Sequence, residues 1–476
     1  MINFENTNNH KKSIHRKIYF DCTLTFHSGL NTGIQRVVRN IVKNICINSN
    51  HSEYETTPVI FFKNKYYEIP PHVILRKPPI TAKMGKKIKS IFESIKKYIL
   101  IFKFKNKANS NFESESKSIK IDSNSNDNNR TLGSVEKFLK FIFSFIKSTR
   151  VLFNLYTLNS KEITFDQDKT LVLIDAFWCF NLYNDIINIK SKGTKIVTVI
   201  YDLIPINYPE LCDEETTLYF NKALPSILEN TDVFICISNT VATDLSNYIN
   251  LKYPHLKSKS QIEYFYLGAD FSPDSNFNNK QHLQNYKNHI YFNVLNNCWL
   301  TIGTIEPRKN HTYILDGFEE YWKNGGSDCL LIIGSIGWKC DNILQRIQNH
   351  DLFNKKIFFR YDMDDTELGF CYSKSKGIIF ASYVEGFGLP LVEAMNKSKL
   401  ILCSDIPIFR EVGQDYPKYF NLNNPIHLTS LLLESNSNFD KSKSSEITNR
   451  KQENATTWLT WKQSANHFLE IIIKYL

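Results

Sequence analysis

The chain has 476 residues and a formal net charge of +10, with 42% hydrophobic and 22% charged residues. That is ordinary for a globular protein and long enough for two domains plus an insertion. Met1–Lys17 is polar and lacks the apolar run of a signal peptide, and no uncharged stretch reaches the roughly 18–20 residues that span a bilayer, so neither secretion nor a transmembrane segment is expected. The 10 cysteines are scattered without a CxxC pair, several of them inside apolar runs (Cys236, Cys298, Cys329, Cys403). Buried cysteine is common in cores, so the expectation is a reducing, cytoplasmic setting and no metal site.

Lys17–Thr23 predicts a first strand, and 33–42 an amphipathic helix. Gly33 and Arg36 stand where the intervening loop meets that helix. They could approach a ligand across a cleft, or make a tight turn with a surface arginine; the sequence leaves both open. A second strand is predicted at Thr57–Phe62. From about 78 to 155 the alternation of strand and helix stops. Ala82–Lys107 carries nine lysines and one acid around apolar residues near helical spacing, and a Ser/Asn/Asp-rich tract at 109–130 predicts disorder. A lysine-flanked apolar segment follows at 135–151. Basic amphipathic helices over 82–150 suit an anionic membrane surface, and a helical hairpin packed on the domain suits the same pattern. No recognition motif accompanies the charge, so nucleic acid is not expected.

Alternation then resumes, with strands predicted at Thr170–Asp175, Lys195–Tyr201, Asp232–Ser238 and Ile262–Leu267. Helical patterns between them argue a mostly parallel, doubly wound sheet. Ligands in such sheets sit beyond the carboxyl ends of the strands, where Asp175, Tyr201, Asp202 and Ser238 fall. Each could instead serve turn or cap chemistry. The polar stretch 272–288 reads as a linker to a second alternating domain, opening at Cys298–Gly303. Beyond that strand come Thr304, Glu306, Arg308 and Lys309, then a helix over 312–322. Cations are disfavoured at a helix start by its dipole, so a bound diphosphate would account for Arg308 as a fork and Lys309 as a point charge. Further strands are predicted at Leu330–Gly334, Lys356–Phe359, Ile378–Phe380 and Leu400–Asp405, and helices at Asp364–Ser375 and 455–476. Asp364 and Asp365 read as a helix start rather than a metal site.

The most informative stretch is 382–395, SYVEGFGLPLVEAM. Pro390 suits a first helical turn, while Gly388 and Leu389 offer no side-chain cap. A strand, a Gly-containing loop and an uncapped helix start form an anion site. The flanking acids Glu385 and Glu393 suit vicinal hydroxyls, which suggests a sugar nucleotide. Alone, the two glutamates could equally be a surface acid and a helix-capping acid.

The string from Glu385 to Ala394 resembles the Glu-x7-Glu signature of retaining glycosyltransferase family 4. The resemblance covers the second domain strongly and the first loosely, and leaves out the insertion. Lys309 falls on the lysine of the family's Gly-Arg-x4-Lys loop, whereas Thr304 stands at its arginine; Arg308 is read as restoring that charge. Tyr201-Asp202-Leu203-Ile204-Pro205 resembles a family segment that often begins with histidine. Leu267–Asp270 resembles the turn that closes the first domain, and Leu368 and Tyr372 keep the register of a further family segment.

The resemblance implies a GT-B fold, two Rossmann-like domains facing a cleft: 1–285 on the acceptor side, with the insertion about 78–155; 286–454 for the nucleotide sugar; and 455–476 as a helix crossing back to the first domain. It implies Glu385, Lys309 and Arg308 as catalytic residues, and Gly386, Phe387, Gly388, Leu389, Val392, Glu393 and Thr304 as donor-binding. Gly33, Arg36, Tyr201 and Asp202 would lie on the acceptor side. Neither cofactor nor metal is implied. The expected reaction moves a hexosyl group, mannose from GDP-mannose as first choice, to a glycan or lipid-linked acceptor in surface polysaccharide synthesis. A non-catalytic nucleotide-sugar binder and a sugar-nucleotide epimerase are the alternatives.

Overall fold

The computed structural model describes residues 16–28, 33–47, 54–75, 151, 154–179, 183–270, 291–361, 363, 365–437 and 458–476. Most of the 78–155 insertion, the basic segments within 82–150, Asp364 and the 272–288 linker lie outside the described residues.

The apolar runs form two sheets. The first contains β1 (Arg16–Asp21), β2 (Tyr54–Phe62), β3 (Lys65–Glu68), β4 (Lys169–Leu173), β5 (Lys195–Ile200), β6 (Val233–Cys236) and β7 (Gln261–Tyr264), in the order 3-2-1-4-5-6-7. The second contains β8 (Cys298–Ile302), β9 (Cys329–Ile333), β10 (Ile357–Arg360), β11 (Gly377–Phe380), β12 (Leu400–Ser404) and β13 (Lys418–Phe420), in the order 10-9-8-11-12-13. Every pairing is parallel except β2 with β3. Strands such as Val233–Cys236 and Cys298–Ile302 are buried at every position, because helices cover both faces of such sheets. Each sheet reverses direction once, at β1/β4 and at β8/β11, and a doubly wound sheet opens its ligand crevice beyond the carboxyl ends at that point. One apolar cluster is confined to each domain, and a third is shared by both domains and the C-terminal helix.

The α/β class is as expected, and the details differ: the short edge strand β13 was not anticipated, and three further differences have a physical reason. β3 was not anticipated; it forms a hairpin with β2 through Lys63 and Asn64, both with positive φ (49° and 62°), the geometry whose twist suits a two-residue hairpin. The strand expected at Ile262–Leu267 is Gln261–Tyr264, because Phe265 to Leu267 leave the ladder to pack in the shared core. The last helix begins at Trp461, where a capping box sets its start: Thr460 Oγ1 accepts from Gln463 N and Gln463 Oε1 accepts from Thr460 N.

That helix, Trp461–Lys474, packs against Gly33–Cys46 of the first domain. Phe468 is fully buried between Phe20 and Phe265, with ring centroids 6.4 and 4.7 Å away. Phe468→Ala is therefore expected to lower the unfolding free energy by about 3–5 kcal/mol, measured by urea denaturation. A loss under about 1 kcal/mol would mean that the helix contributes little to the first domain's core.

Candidate functional site

The β8/β11 reversal places two loops side by side. One follows β8 and contains Thr304 to Asn310; the other follows β11 and contains Ser382 to Gly388. Tyr383 N donates to Arg308 O at 2.9 Å, which straps them together. Glu385 is buried at their junction. One of its oxygens accepts from Lys309 Nζ and from Ser382 Oγ (2.7 Å), the other from Arg308 Nη1. Arg308 Nε also lies 2.6 Å from Glu306 Oε1, so the guanidinium joins two buried carboxylates.

Burial alone would raise the Glu385 carboxyl, but Arg308 and Lys309 outweigh it and bring it down to about 2. Glu385 is thus an anion at neutral pH. Burial lowers the Lys309 ammonium, with Glu385 opposing and Arg308 adding to the depression. Arg308 is raised: Glu385, Glu306 and Asp202 overcome the desolvation of its charge. Glu306 and Asp202 are both pushed up, mainly by burial. The contacts to Glu385 leave further N–H donors on the arginine and lysine.

The helix Leu389–Asn396 starts as expected, one residue before Pro390. Gly388 occupies its N-cap position in the left-handed region (φ 89°), with no side-chain cap, a conformation that favours glycine. Its first N–H groups face the carboxyl end of the sheet unpaired by any side chain. Leu389 and Val392 are buried, so they contribute packing and backbone rather than side-chain chemistry. Phe387 is also buried, its ring 6.2 Å from that of Tyr266 in the first domain. Thr304 lies half-buried on the β8 loop, against Gly337.

Glu393, one turn into the helix, accepts from Tyr372 Oη at 3.0 Å and from Arg36 Nη2. Arg36 reaches it from the first domain, on the helix that begins at Gly33; Gly33 itself is exposed at that helix start. Asp202 faces Arg308, and its Oδ1 accepts from Ile204 N at 3.0 Å. Tyr201 contributes backbone only: its hydroxyl donates to Ile174 O at 2.7 Å in the interior. Its carbonyl sits so close to Gly386 that a Cβ there would come within 2.2 Å of it. Asp175 accepts from Thr25 N (2.6 Å) and Ala176 N (2.9 Å), so it ties the end of β4 to the start of the helix Thr23–Ser28.

The domains meet through further polar contacts. Ser238 caps the helix Asn239–Lys252 by accepting from Val241 N, and its hydroxyl donates to Gly386 O at 2.9 Å. Glu411 of the second domain accepts from Asn239 N and Thr240 N, each at 2.7 Å. Trp338 Nε1 donates to Leu211 O at 3.0 Å and Lys339 Nζ to Glu210 O at 2.9 Å. Arg308, Lys309, Glu385 and Asp202 therefore converge, with Arg36 and Glu393 beside the same helix. Sequence reasoning did not place Glu306, Ser382 or Tyr372 in the site. The first two lay within the motif strings and Tyr372 lay in register, but no spacing rule links them to their partners.

His311, which follows this loop, is buried and held neutral, its pKa lowered to about 3 by burial and by Lys309. Between about 3 and the ordinary 6.5 the unfolded chain binds the extra proton, so this group's contribution to stability falls as pH drops through that window. His311→Asn is expected to flatten the decline in urea midpoint between pH 7 and 5; an unchanged slope would assign that decline to other groups.

Residues 286–424 match the family described as Glycosyl transferases group 1. The serotype-specific mannosyltransferase WbdA of Escherichia coli is 31% identical over 314 residues, which cover 65% of this chain and 38% of WbdA. The O-antigen chain mannosyltransferase RfbU of Salmonella typhimurium is 24% identical over 223 residues, covering 47% of this chain and 55% of RfbU. The chain thus spans well under half the length of WbdA. HepE of Anabaena, solved in complex with UDP and glucose, superposes with a TM-score of 0.51 at 12% identity, covering 97% of this chain and 100% of that one. A glycosyltransferase from Rickettsia africae gives 0.52 at 14% identity, covering 96% and 97%. At these identities the two structures speak for the fold. Residues 286–424 are thus similar to the group 1 glycosyl transferases, and the two domains have the GT-B fold.

Proposed function

We propose that the chain is a retaining glycosyltransferase that moves a hexosyl group from a nucleotide diphosphate sugar to a glycan or lipid-linked acceptor during surface polysaccharide synthesis. The observation that carries this reading is the Glu385 cluster: a buried carboxylate anion held by Arg308, Lys309 and Ser382 at the sheet reversal, beside an uncapped helix start. Departure of the nucleotide diphosphate builds negative charge on its phosphates. Arg308, Lys309 and the N–H groups after Gly388 are fixed before that charge develops, which is where preorganised donors lower a barrier. Glu385 would take the donor sugar's hydroxyls and orient both cations. Glu393 would take the ribose hydroxyls; a carboxylate offers about four lone-pair directions, so they can join Arg36 and Tyr372. Asp202 and the first-domain helix at Arg36 would face the acceptor.

Mannose is the first choice of sugar because the named relatives in Escherichia coli and Salmonella are mannosyltransferases; GDP-mannose as donor belongs to the same proposal. Metal independence, a cytoplasmic location and docking of 82–150 on an anionic membrane face complete it. Among the described residues no helix is long and apolar enough to cross a membrane.

The test is nucleotide release by purified protein over a panel of sugar nucleotides, with and without cell-envelope lipid extract. One donor is expected to support release, and Lys309→Ala to lower it by about 10²–10³-fold, the range for removing one preorganised donor to a developing charge. Glu385→Ala is expected to lower it as well, because Arg308 and Lys309 lose the carboxylate that orients them. Tight donor binding with no release under any condition would replace this reading with a nucleotide-sugar binder. Conversion of the donor to an isomer without acceptor would indicate an epimerase.

A further inference from the structure

A cavity of about 500 Å³ is lined by Glu306, Pro307 and Asn310 of the loop that carries Arg308 and Lys309, and its lining does not include Arg308, Lys309 or Glu385. Its wall includes Leu211 from the first domain and Glu306, Asn310, His311, Asn342 and Tyr383 from the second. The volume falls within the roughly 300–1,000 Å³ of small-molecule sites. The hydrogen bonds of Trp338 and Lys339 to the carbonyls of Leu211 and Glu210 fasten the domain boundary beside it.

Two features of the wall point to a ligand. Among the described residues, Asn310 Nδ2 and His311 Nδ1 are buried without a hydrogen-bond partner, on residues 8% and 5% exposed; Glu306 Oε1, although 2.6 Å from Arg308 Nε, makes no hydrogen bond either. Buried polar groups are nearly always paired, so an amide donor and an imidazole nitrogen left open beside one cavity are unusual. The second feature is charge. Glu306 is engaged by Arg308 (2.6 Å), Asp316 by Arg346 (2.6 Å), and Lys339 by the Glu210 carbonyl. His311 is neutral, its pKa lowered to about 3 by burial. Among the described residues the wall therefore presents no uncommitted cation to hold a phosphate or carboxylate. It offers amides, a hydroxyl from Thr312, a neutral imidazole and the half-exposed ring of Tyr383. These groups match a neutral polyhydroxyl ligand, with hydrogen-bond partners around its edge and an aromatic face for its C–H surface.

We infer that this cavity is a saccharide-binding subsite, separate from the Glu385 cluster, that holds a neutral sugar residue of the acceptor glycan beyond the one that reacts. The choice of a saccharide among polyols rests on the glycosyl-transfer reading; the wall chemistry does not. One loop serves both spaces. Arg308 and Lys309 contact Glu385, while Glu306, Pro307 and Asn310 line the cavity. A glycan held here would be anchored within one turn of the reacting centre, which favours elongation of a chain over transfer to a lone sugar.

The experiment is titration of the full chain, without nucleotide, with mannose-containing and glucose-containing di- and trisaccharides, followed by ligand-observed NMR. Two variants probe the wall at exposed positions: Thr312→Trp, which fills the cavity, and Tyr383→Ala, which removes its aromatic face. Saturable binding of at least one saccharide is expected, weakened at least tenfold by Thr312→Trp and severalfold by Tyr383→Ala, with melting temperatures close to the parent. Equal binding by both variants and the parent, or no binding by any saccharide, would overturn the subsite. Nucleotide-sugar affinity read on the same samples keeps the two readings apart. Its absence alongside cavity-dependent saccharide binding would count against the donor site alone. Its presence with no effect of either variant would count against the subsite alone.

Discussion

A buried carboxylate between two cations organises this molecule. Glu385 taken from water alone would carry a desolvation cost that neither its backbone nor Ser382 could offset. Arg308 and Lys309 supply the missing attraction, and they can do so only because β8 and β11 are neighbours and deliver their loops to the same edge. The same cluster would be an inefficient way to gain stability, since a well-packed apolar group often does as well in place of a buried ion pair. Its location at a sheet reversal, with a second buried acid (Glu306) sharing the arginine, is better explained by a need to hold charge in a fixed geometry.

The domain contacts depend on that geometry. Gly386 and Phe387 continue directly from Glu385 and are the residues that meet Tyr201, Ser238 and Tyr266 of the first domain. A displaced Glu385 loop would lose them together. Asp202 connects the two: its carboxyl lies near Arg308, and its backbone neighbour Tyr201 packs against Gly386. Residues called acceptor-side from the sequence thus act partly through backbone shape, and Tyr201 does so entirely, because its hydroxyl is committed to Ile174.

The expected loss on Phe468→Ala and the pH dependence assigned to His311 both arise from burial, and burial is what the sequence discloses unevenly. Continuous apolar runs such as Val233–Cys236 and Ile378–Phe380 mark strands covered on both faces, so most of the two sheets was legible. The Lys63-Asn64 hairpin was not, because a lysine gives no sign of adopting positive φ. The capping box at Thr460 and Gln463 was present in the sequence and outweighed by the apolar periodicity around it. In the site, the charged members were legible because unpaired cations near a helix start require a partner. The direction of each side chain was not. Phe387, Leu389 and Val392 belong to the same motif as Glu385, yet they face the core or the opposite domain. Likewise, nothing in a spacing of 357 residues indicates that Arg36 meets Glu393.

That last pair ties the state of one domain to the position of the other. Glu393 has one oxygen on Tyr372 of its own domain and the other on Arg36 across the boundary. Interfaces between domains of one chain resemble transient ones and permit relative motion, and this one is polar: a serine hydroxyl on Gly386, a glutamate on two amide groups, an indole and an ammonium on carbonyls. Each of these groups can return to water at small net cost, whereas a buried ion pair that loses one member leaves a charge uncompensated. Arg36 is half-buried and Glu393 almost fully so, so the penalty for separation falls on Glu393. Anything that supplies hydroxyl donors to Glu393 would lower that penalty, and in this way occupancy beside the helix Leu389–Asn396 would bear directly on how firmly the two domains hold together.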